Sequence, residues 1–411
     1  PLRRLMLLLP LATTASTGVA AASNDASAML EEVVVRARKL AVAEFDAPLA
    51  IDRLGSDELQ SLQIRDLTRL TTGLPGVALD DVGTRRGTAN FSIRGLGINS
   101  SIPSIDPTVG VFINDVYIGI NNDTVFDLFD LESIDVLRGP QGVLFGRNVT
   151  GGALLLQTAA PTARRSLDVA GGVEGGGDGG LTANTSLVLN GPLTSSLQGR
   201  LALYASEDEG YFSNRYDGEN AAGLTQLMGR VSLNWQPGEH SSLLAVYEHG
   251  RLDGEGPAAQ SHRNGAGIPG TPFNAPRDSL QFSNDEPGYQ DVTYDNLSLT
   301  WNQSLAGGQL TNVFGYRDQS SEAMSDIDSQ PDFLFHSPGW IDYEQWSNEL
   351  RYQRRFADSL TMLGGIYLFE SDLAYHDRRL FQGDAGVRGS SRFSQDGGGL
   401  QDVSTVAVFL S

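Results

Sequence analysis

Segments of alternating apolar and polar side chains fill the chain beyond Pro161, separated by turns rich in Gly, Asn and Asp. A period of two is that of a β-strand, whose successive side chains point to opposite faces. In QLMGRVSLNW, Leu227, Val231 and Trp235 share one face, and polar residues occupy the other. Buried strands of a parallel sheet would be apolar on both faces. The pattern therefore predicts an antiparallel sheet with a different environment on each side.

A transmembrane β-barrel and a soluble sandwich both alternate in this way, and two details favour the barrel. Trp235 and Trp301 end apolar stripes, as aromatic residues do at a membrane–water interface. Short turns such as 236–238 alternate with long connections, including a polar stretch of about forty residues between 250 and 291, far beyond ordinary loop lengths. An outer-membrane barrel has this asymmetry, with short periplasmic turns and long external loops.

The number of strands limits what the barrel can enclose. We count about ten strands between 167 and 411, and the last segment stops in mid-pattern. A barrel that holds a domain in its lumen has about 22 strands. An unclosed half barrel would also leave two unpaired edges in lipid. We therefore expect the sequence to be the amino-terminal portion of a longer product.

Composition argues against several functions. With 50 Asp and Glu against 29 Lys and Arg, the net charge of −21 opposes binding to nucleic acid. The absence of cysteine removes disulfides, thiol nucleophiles and Cys-ligated zinc. No GxSxG or P-loop motif occurs, and the histidines are scattered without metal-ligand spacing. We therefore predict no enzymatic activity, no catalytic residues, no cofactor and no metal site. The histidines are His240, His249, His262, His336 and His376.

Two segments precede the first domain. Residues 1–22 have the layout of a secretory signal peptide, with two arginines, an apolar run and small residues that end in Ala-Ala-Ala. Residues 23–47 form a periplasmic segment that contains EEVVVR at 31–36. Its valines favour extended backbone, and its flanks offer no neighbouring strand with which to pair. We expect this segment to pair with a strand of another chain.

Residues 48–160 have the composition of a compact mixed α/β domain, and residues 161–411 form the partial barrel. Ser56 is expected to cap a helix over 56–62. A second helix over 64–70 is ended by the Gly-Leu-Pro-Gly sequence that follows. Short strands are predicted at 91–94, 109–113, 133–137 and 153–157.

Three sequences in this domain resemble the plug-domain motifs of TonB-dependent outer-membrane receptors. They are SIRGLG at 92–97, DPTVGVFINDVYIG at 106–119 and ESIDVLRGPQGVLFGRNVTGGALLLQT at 132–158. EEVVVRA at 31–37 is similar to the TonB box of that family. The resemblance implies a small mixed α/β plug domain inside a transmembrane antiparallel β-barrel of about 22 strands, of which about ten are present. It also implies the outer membrane of a Gram-negative bacterium.

The resemblance implies sites as well. Arg94 and Arg138 stand where arginines of the family form buried ion pairs with glutamates of the barrel wall. Strand phase in YEQWSNELRYQ points Glu349 into the lumen, so we expect it to be one such partner, or otherwise a solvated lumen carboxylate. TonB would bind the box residues Glu31, Glu32, Val33, Val34, Val35 and Arg36.

The function that the resemblance implies is energy-coupled uptake of a scarce ligand, with a ferric siderophore or similar iron chelate as cargo. We expect ligand contacts at Arg85, Arg86 and Asn99, on loops 80–90 and 97–107. The two arginines would attract an anionic chelate, or else be solvated loop charges. Haem, cobalamin and glycans are alternative ligands, and a passive porin or a soluble secreted β-rich binding protein are alternative functions. The partners would be TonB, the small-molecule ligand and outer-membrane lipid.

Overall fold

The computed structural model describes residues 50–80, 85–124, 127–175, 180–260, 279–357, 360–382 and 392–411, together with two short strands. These strands are β1 (Val34–Val35) and β2 (Val42–Ala43), which pair in antiparallel orientation. The expectation that the valine segment has no neighbouring strand is therefore wrong, because β2 supplies one. The predicted signal peptide at 1–22 and residues 31–33 and 36 of the predicted TonB box lie outside the described residues.

A five-stranded sheet forms the centre of the plug domain. Its elements are β3 (Ala50–Gly55), α1 (Ser56–Ser61), α2 (Leu67–Thr72), β4 (Val77–Asp80), β5 (Asn90–Ile93), β6 (Leu96–Gly97), β7 (Val109–Ile113), β8 (Val116–Ile118), β9 (Leu131–Arg138), α3 (Gly142–Phe145) and β10 (Gly152–Thr158). The sheet order is β3-β9-β10-β7-β8, with β10 parallel to β7, while β4, β5 and β6 form a smaller sheet. The four predicted strands are confirmed as β5, β7, β9 and β10.

Both predicted helices exist, but the cap of α1 and the start of α2 differ from the prediction. The N-cap of α1 is Gly55, so Ser56 does not cap this helix. The Glu58 carboxylate accepts a hydrogen bond from the Gly55 N–H at 3.1 Å instead. The start of α2 is shifted towards the C-terminus, because the Asp66 side chain accepts from the Arg69 N–H at 2.8 Å and caps the helix there.

Apolar side chains of the helices pack against alternate residues of β7, β9 and β10. The cluster consists of plug residues alone, and Leu70, Ile93, Ile134 and Leu154 within it are fully buried. Burial of apolar surface stabilises such a cluster by about 25 cal/mol per Å². This core therefore does not depend on side chains of the barrel sheet.

Ten strands form one continuous antiparallel sheet, here called the barrel sheet, as predicted. They are β11 (Ser166–Gly175), β12 (Leu181–Pro192), β13 (Leu197–Asp208), β16 (Leu224–Gly238), β17 (Ser241–Gly254), β19 (Tyr289–Leu305), β20 (Gly308–Asp326), β21 (Phe335–Ala357), β22 (Leu360–Gln382) and β23 (Arg392–Leu410), and the loops between them carry β14 (Phe212–Asn214), β15 (Asn220–Ala221) and β18 (Gln281–Phe282). Strands that are adjacent in the sheet follow one another in sequence. In the described part of the chain, the sheet ends at β11 and β23, which do not pair with each other.

The apolar face of the barrel sheet is its outer face. Leu227, Val231 and Trp235 are 62, 45 and 47% exposed, while Arg230 and Ser232 on the other face are 5 and 1% exposed. The plug domain covers this polar face. A soluble sandwich would instead cover the apolar face with its second sheet. The observed arrangement therefore agrees with the barrel interpretation.

Connections at the two ends of the barrel sheet differ in length, as predicted, but the short turn expected at 236–238 lies at 239–240, because β16 extends to Gly238. The turn between β19 and β20 consists of Ala306 and Gly307, whose φ values are 51 and 75°. Positive φ at both central residues gives a turn whose twist matches an antiparallel hairpin. The opposite end carries the long connections between β13 and β16, between β17 and β19 and between β20 and β21, of which residues 209–223, 255–260, 279–288 and 327–334 are described.

Two tryptophans mark one level of the outer face. Trp235 and Trp301 are both paired with Leu243, close to the end with short turns. Such a row is typical of the aromatic girdle at a membrane interface. Among the described residues, no helix combines the length and the apolar composition needed to cross a bilayer.

Candidate functional site

The polar face of the barrel sheet contacts a segment of the plug, residues 115–124 and 127–130, here called the seating segment. It runs across the sheet from β21 to β13 and presents aspartates to this polar face, here called the wall. Asp115, Asp123 and Asp130 have positive φ values of 66, 54 and 52°. Asp and Asn adopt this left-handed conformation more readily than other non-glycine residues. The aspartates therefore suit both the turns of the main chain and the contacts with the wall.

At the β21 end, Asp115 lies in the turn between β7 and β8. Its Oδ2 is 3.5 Å from Arg351 Nη2, and Arg351 Nη1 donates to Glu349 Oε1 at 2.8 Å. Glu349 is 5% exposed and faces inward, in agreement with its predicted strand phase. The positive partner of Glu349 is thus Arg351, two residues away on the same strand. Arg351 also contacts Asp115, which connects this ion pair to the plug.

The wall also holds the main chain of the seating segment. Gln345 on β21 donates through Nε2 to the Tyr117 carbonyl at 2.6 Å and accepts from the Gly119 N–H at 2.8 Å. A Cβ atom at Gly119 would lie 2.3 Å from the Tyr343 hydroxyl oxygen. The close approach of the main chain to β21 therefore requires glycine at this position.

Asp123 is 1% exposed and is held by groups of two strands. Ser321 Oγ on β20 donates to its Oδ2 at 2.7 Å, and Gln290 Nε2 on β19 donates to its Oδ1 at 3.0 Å. Burial raises the pKa of the Asp123 carboxyl, while the positive charge of Arg85 and the hydrogen bond from Ser321 act in the opposite direction. The wall thus replaces the water that this carboxylate loses.

Asp127 is held by neutral groups. Tyr204 Oη donates to Asp127 Oδ2 at 2.6 Å, and Ser206 Oγ donates to the same oxygen at 3.1 Å. The Asp127 N–H donates to Gln226 Oε1 at 3.3 Å. Burial raises the pKa of the Asp127 carboxyl, because these hydrogen bonds compensate the loss of water only in part.

At the β13 end, Asp130 pairs with Arg200, whose Nε donates to Oδ2 at 2.8 Å and whose Nη2 contacts the other oxygen. Arg230 Nη1 donates to the Asp130 carbonyl at 3.1 Å, and Arg230 Nε donates to Glu248 at 2.6 Å. The Arg230 guanidinium also lies 4.3 Å from the centroid of the Phe129 ring. Hydrogen bonds between charged groups are stronger than neutral ones, so this end is the electrostatic anchor of the seating segment.

The two arginines expected to pair with barrel glutamates have other surroundings. Arg138 Nε donates to Asp52 Oδ2 at 2.6 Å, and its Nη1 donates to the Pro75 carbonyl at 2.6 Å. Asp52 is close because β3 lies beside β9. Arg94 has a φ of 54° and an exposed side chain, without an ion pair to any described residue. Among the described residues neither arginine pairs with Glu349, and ion pairs of these arginines with other glutamates of the barrel stay a prediction.

Arg85 and Arg86 are not solvated loop charges. Arg85 is 5% exposed, and its Nη2 lies 3.9 Å from Asp377 Oδ1 on β22. Arg86 donates through Nη1 to the Ala222 carbonyl at 2.8 Å. Both arginines thus join the plug to the barrel sheet near its long loops. Asn99 is exposed beyond β6, and ligand contact by these three residues stays a prediction.

The aspartates of the seating segment were not among the site residues predicted from the sequence. Asn114-Asp115 and Asn122-Asp123 are turn-forming pairs inside an apolar stretch, and this is the signal that locates two of them. Asp127 and Asp130 carry no such signal. Their side-chain partners lie on β13, 70 residues further along the chain for Asp130 and 77 for Asp127.

Comparison with known proteins places this domain in a family. Residues 43–153 match the family model described as the TonB-dependent Receptor Plug Domain. The chain is similar to the pesticin receptor of Yersinia pestis, with 27% identity over 186 residues, 45% of this chain and 26% of that protein. It is also similar to the iron-regulated outer membrane virulence protein of Vibrio cholerae, with 27% identity over 249 residues, 58% of this chain and 37% of that protein.

A solved structure extends the similarity to the fold of the described chain. The ferric yersiniabactin uptake receptor FyuA from Yersinia pestis superposes with a TM-score of 0.64 at 17% sequence identity. The superposition covers 88% of this chain and 62% of that receptor. This chain thus spans less than two thirds of each protein to which it is compared.

Proposed function

Because this chain belongs to the TonB-dependent receptors of the Gram-negative outer membrane, we propose that it imports a scarce external ligand with energy supplied through TonB. The observation that carries the proposal is the seating segment, which is held by ion pairs and hydrogen bonds from β13 to β21. Several polar contacts must break before the plug can open a path along this wall. Transport therefore requires work on the plug.

This work comes from another membrane. The inner-membrane potential provides about 2.3 kcal/mol per elementary charge and 100 mV, and a partner must carry that energy across the periplasm. We propose residues 31–36 as the site that TonB binds, since an extended segment pairs with a partner strand through main-chain hydrogen bonds. The pairing of β1 with β2 involves two residues on each side, and so short a hairpin is weak enough for TonB to displace.

We propose a ferric siderophore or a similar iron chelate as the cargo. The names of two similar proteins support iron, since one is an iron-regulated outer membrane virulence protein and the other a ferric yersiniabactin uptake receptor. Haem, cobalamin and glycans are the competing cargoes. Growth of a deletion strain on single iron sources and glycans separates them. A defect limited to one ferric chelate supports the proposal, and a defect limited to a glycan contradicts it.

Deletion of residues 31–36 is the direct test of energy coupling. We expect the deletion to leave ligand binding at the cell surface intact and to abolish uptake of radiolabelled ferric chelate. A matched deletion of residues 23–28 should preserve uptake, because it shortens the same periplasmic segment without removing the box. Uptake that continues after deletion of 31–36 would refute the mechanism.

A passive porin is the second function to distinguish. In a porin the ligand moves down its gradient through an open lumen, so collapse of the inner-membrane potential does not affect entry. Treatment of cells with a protonophore should therefore stop uptake by this receptor while surface binding continues. Uptake that persists at the untreated rate would support the porin instead.

A further inference from the structure

Three potential metal ligands meet where the barrel sheet passes into its long loops. His336, at the start of β21, places Nε2 3.1 Å from Asp285 Oδ1 and 3.8 Å from Asp326 Oδ2. The three ligand atoms lie within 4.8 Å of one another. His336 and Asp326 are buried and Asp285 is half-buried. The expectation that His336 is an isolated residue outside any ligand cluster is therefore wrong, because its neighbours are distant in sequence.

One carboxylate oxygen of this cluster has no hydrogen-bond donor. Asp326 Oδ1 accepts from the N–H groups of Asp328 and Ser329, both at 3.1 Å, which fixes the orientation of the side chain. Among the described residues, Asp326 Oδ2 is fully buried, has no hydrogen-bond partner and faces the imidazole of His336. A buried carboxylate oxygen without a donor is costly, and a cation at the centre of the cluster would compensate this cost.

We propose that Asp285, Asp326 and His336 bind a divalent transition-metal ion with the ligand preferences of Zn²⁺. One imidazole nitrogen and two carboxylate oxygens form a donor set that suits Zn²⁺, whereas Ca²⁺ prefers oxygen ligands alone. Metal–ligand bonds of about 2.0–2.2 Å in a tetrahedral site separate neighbouring ligand atoms by about 3.3–3.5 Å. The observed separations of 3.1 and 3.8 Å bracket this value, so small shifts complete the site.

The position of the site gives the metal a structural role. Asp285 belongs to the loop between β17 and β19, while the other two ligands flank the loop between β20 and β21. The Asp285 N–H already donates to the Gln330 carbonyl at 3.3 Å, which holds the two loops together. A bound ion would link these loops at the end of the barrel sheet opposite the short turns and limit their motion.

The test is metal binding by the complete receptor, purified in detergent without a histidine tag and stripped of metal by chelation. Equilibrium dialysis followed by elemental analysis should give one Zn²⁺ per protein. We expect His336→Ala and Asp326→Asn each to weaken Zn²⁺ binding at least about tenfold. His249→Ala is the matched control, because His249 is exposed and pairs with a single carboxylate, that of Asp295.

Two further measurements distinguish loss of the metal site from misfolding of the variants and from Zn²⁺ binding at weak surface sites. Heat-modifiable mobility in electrophoresis should be unchanged in all three variants, and excess Ca²⁺ should not displace Zn²⁺. Protection of the loop 255–288 from proteolysis should rise with Zn²⁺ in the wild type and in His249→Ala only. Absence of stoichiometric Zn²⁺, or equal binding by His336→Ala, would show that the cluster is a His–Asp ion cluster and would overturn the proposal. Neither outcome depends on ligand uptake.

Discussion

At the scale of the residue, two aspartates of the seating segment illustrate different ways to bury a carboxylate. Asp130 is paired with the guanidinium of Arg200. Asp127 accepts hydrogen bonds from the hydroxyls of Tyr204 and Ser206, which carry no charge. An ion pair is sensitive to the loss of one partner, whereas a carboxylate held by neutral donors is sensitive to its own ionisation.

Substitution of Asp130 by alanine should weaken the attachment of the plug to the barrel sheet. The change leaves the part-buried guanidinium of Arg200 without its carboxylate, at an expected cost of about 3–5 kcal/mol. Arg200→Ala in addition should recover part of this cost. Hydrogen exchange of the seating segment in the intact receptor measures both effects. Asp291→Ala is the control, since its ion pair with Arg251 is exposed and should contribute at most about 1 kcal/mol.

The attachment at Asp127 should depend on pH. Burial raises the pKa of its carboxyl above 3.8, so this group binds a proton more readily in the seated plug than in the unfolded chain. The contribution of this group to stability is then fully present below its unfolded-state pKa and is lost as pH rises through the raised value. Asp127→Asn keeps an oxygen that accepts from Tyr204 and Ser206 but does not titrate. Urea denaturation at acidic and neutral pH should show a smaller pH dependence in this variant, and an equal dependence would contradict the assignment.

At the scale of the element, β1 belongs to a hairpin and also lies within the proposed TonB-binding segment. Val34 is opposite Ala43 and Val35 is opposite Val42, so the main-chain groups on one edge of β1 are already in use. Proline removes the N–H group on which such pairing depends. Proline substitutions on β1 and on β2 therefore distinguish the contribution of the TonB-binding segment from that of the hairpin.

Val34→Pro should weaken binding of the periplasmic domain of TonB to the receptor at least about tenfold, because it damages the strand that TonB would extend. Val42→Pro damages only the strand of the hairpin that competes with TonB, so binding should stay equal or become tighter. Biolayer interferometry with the purified receptor measures both affinities. If Val42→Pro weakens binding as much as Val34→Pro, the hairpin itself would be the element that TonB recognises.

At the scale of the whole molecule, the plug and the barrel sheet are joined both by polar contacts and by apolar clusters. The main core of the plug consists of its own side chains. Aspartates, arginines and amides connect the plug to the inner face of the sheet, and Phe129 and Ile118 of the plug pack against apolar side chains of that face. Release of the plug would therefore require the exchange of polar contacts for water and the exposure of apolar surface.

A disulfide between plug and wall should block transport. The chain has no cysteine, so two introduced cysteines can form only one intramolecular disulfide, which tests a single contact. Asp127 and Ser206 have short side chains whose oxygens are 3.1 Å apart, which favours a disulfide between cysteines at these positions. The oxidised variant with Asp127→Cys and Ser206→Cys should bind ligand but lose uptake, and dithiothreitol should restore it. Either single variant is the control, and normal uptake by the oxidised pair would mean that this contact need not open.

The sequence by itself determined the ten strands of the barrel sheet, their inner and outer faces, the plug strands β5, β7, β9 and β10, and the inward direction of Glu349. These features follow from local periodicity and turn-forming residues, which act over a few positions. Only the tertiary structure decided that Arg138 pairs with Asp52, that Glu349 reaches the plug through Arg351, and that His336 faces Asp285. These partners are set by strand register and by the docking of the plug. Both join residues far apart in the chain, and no local pattern encodes them.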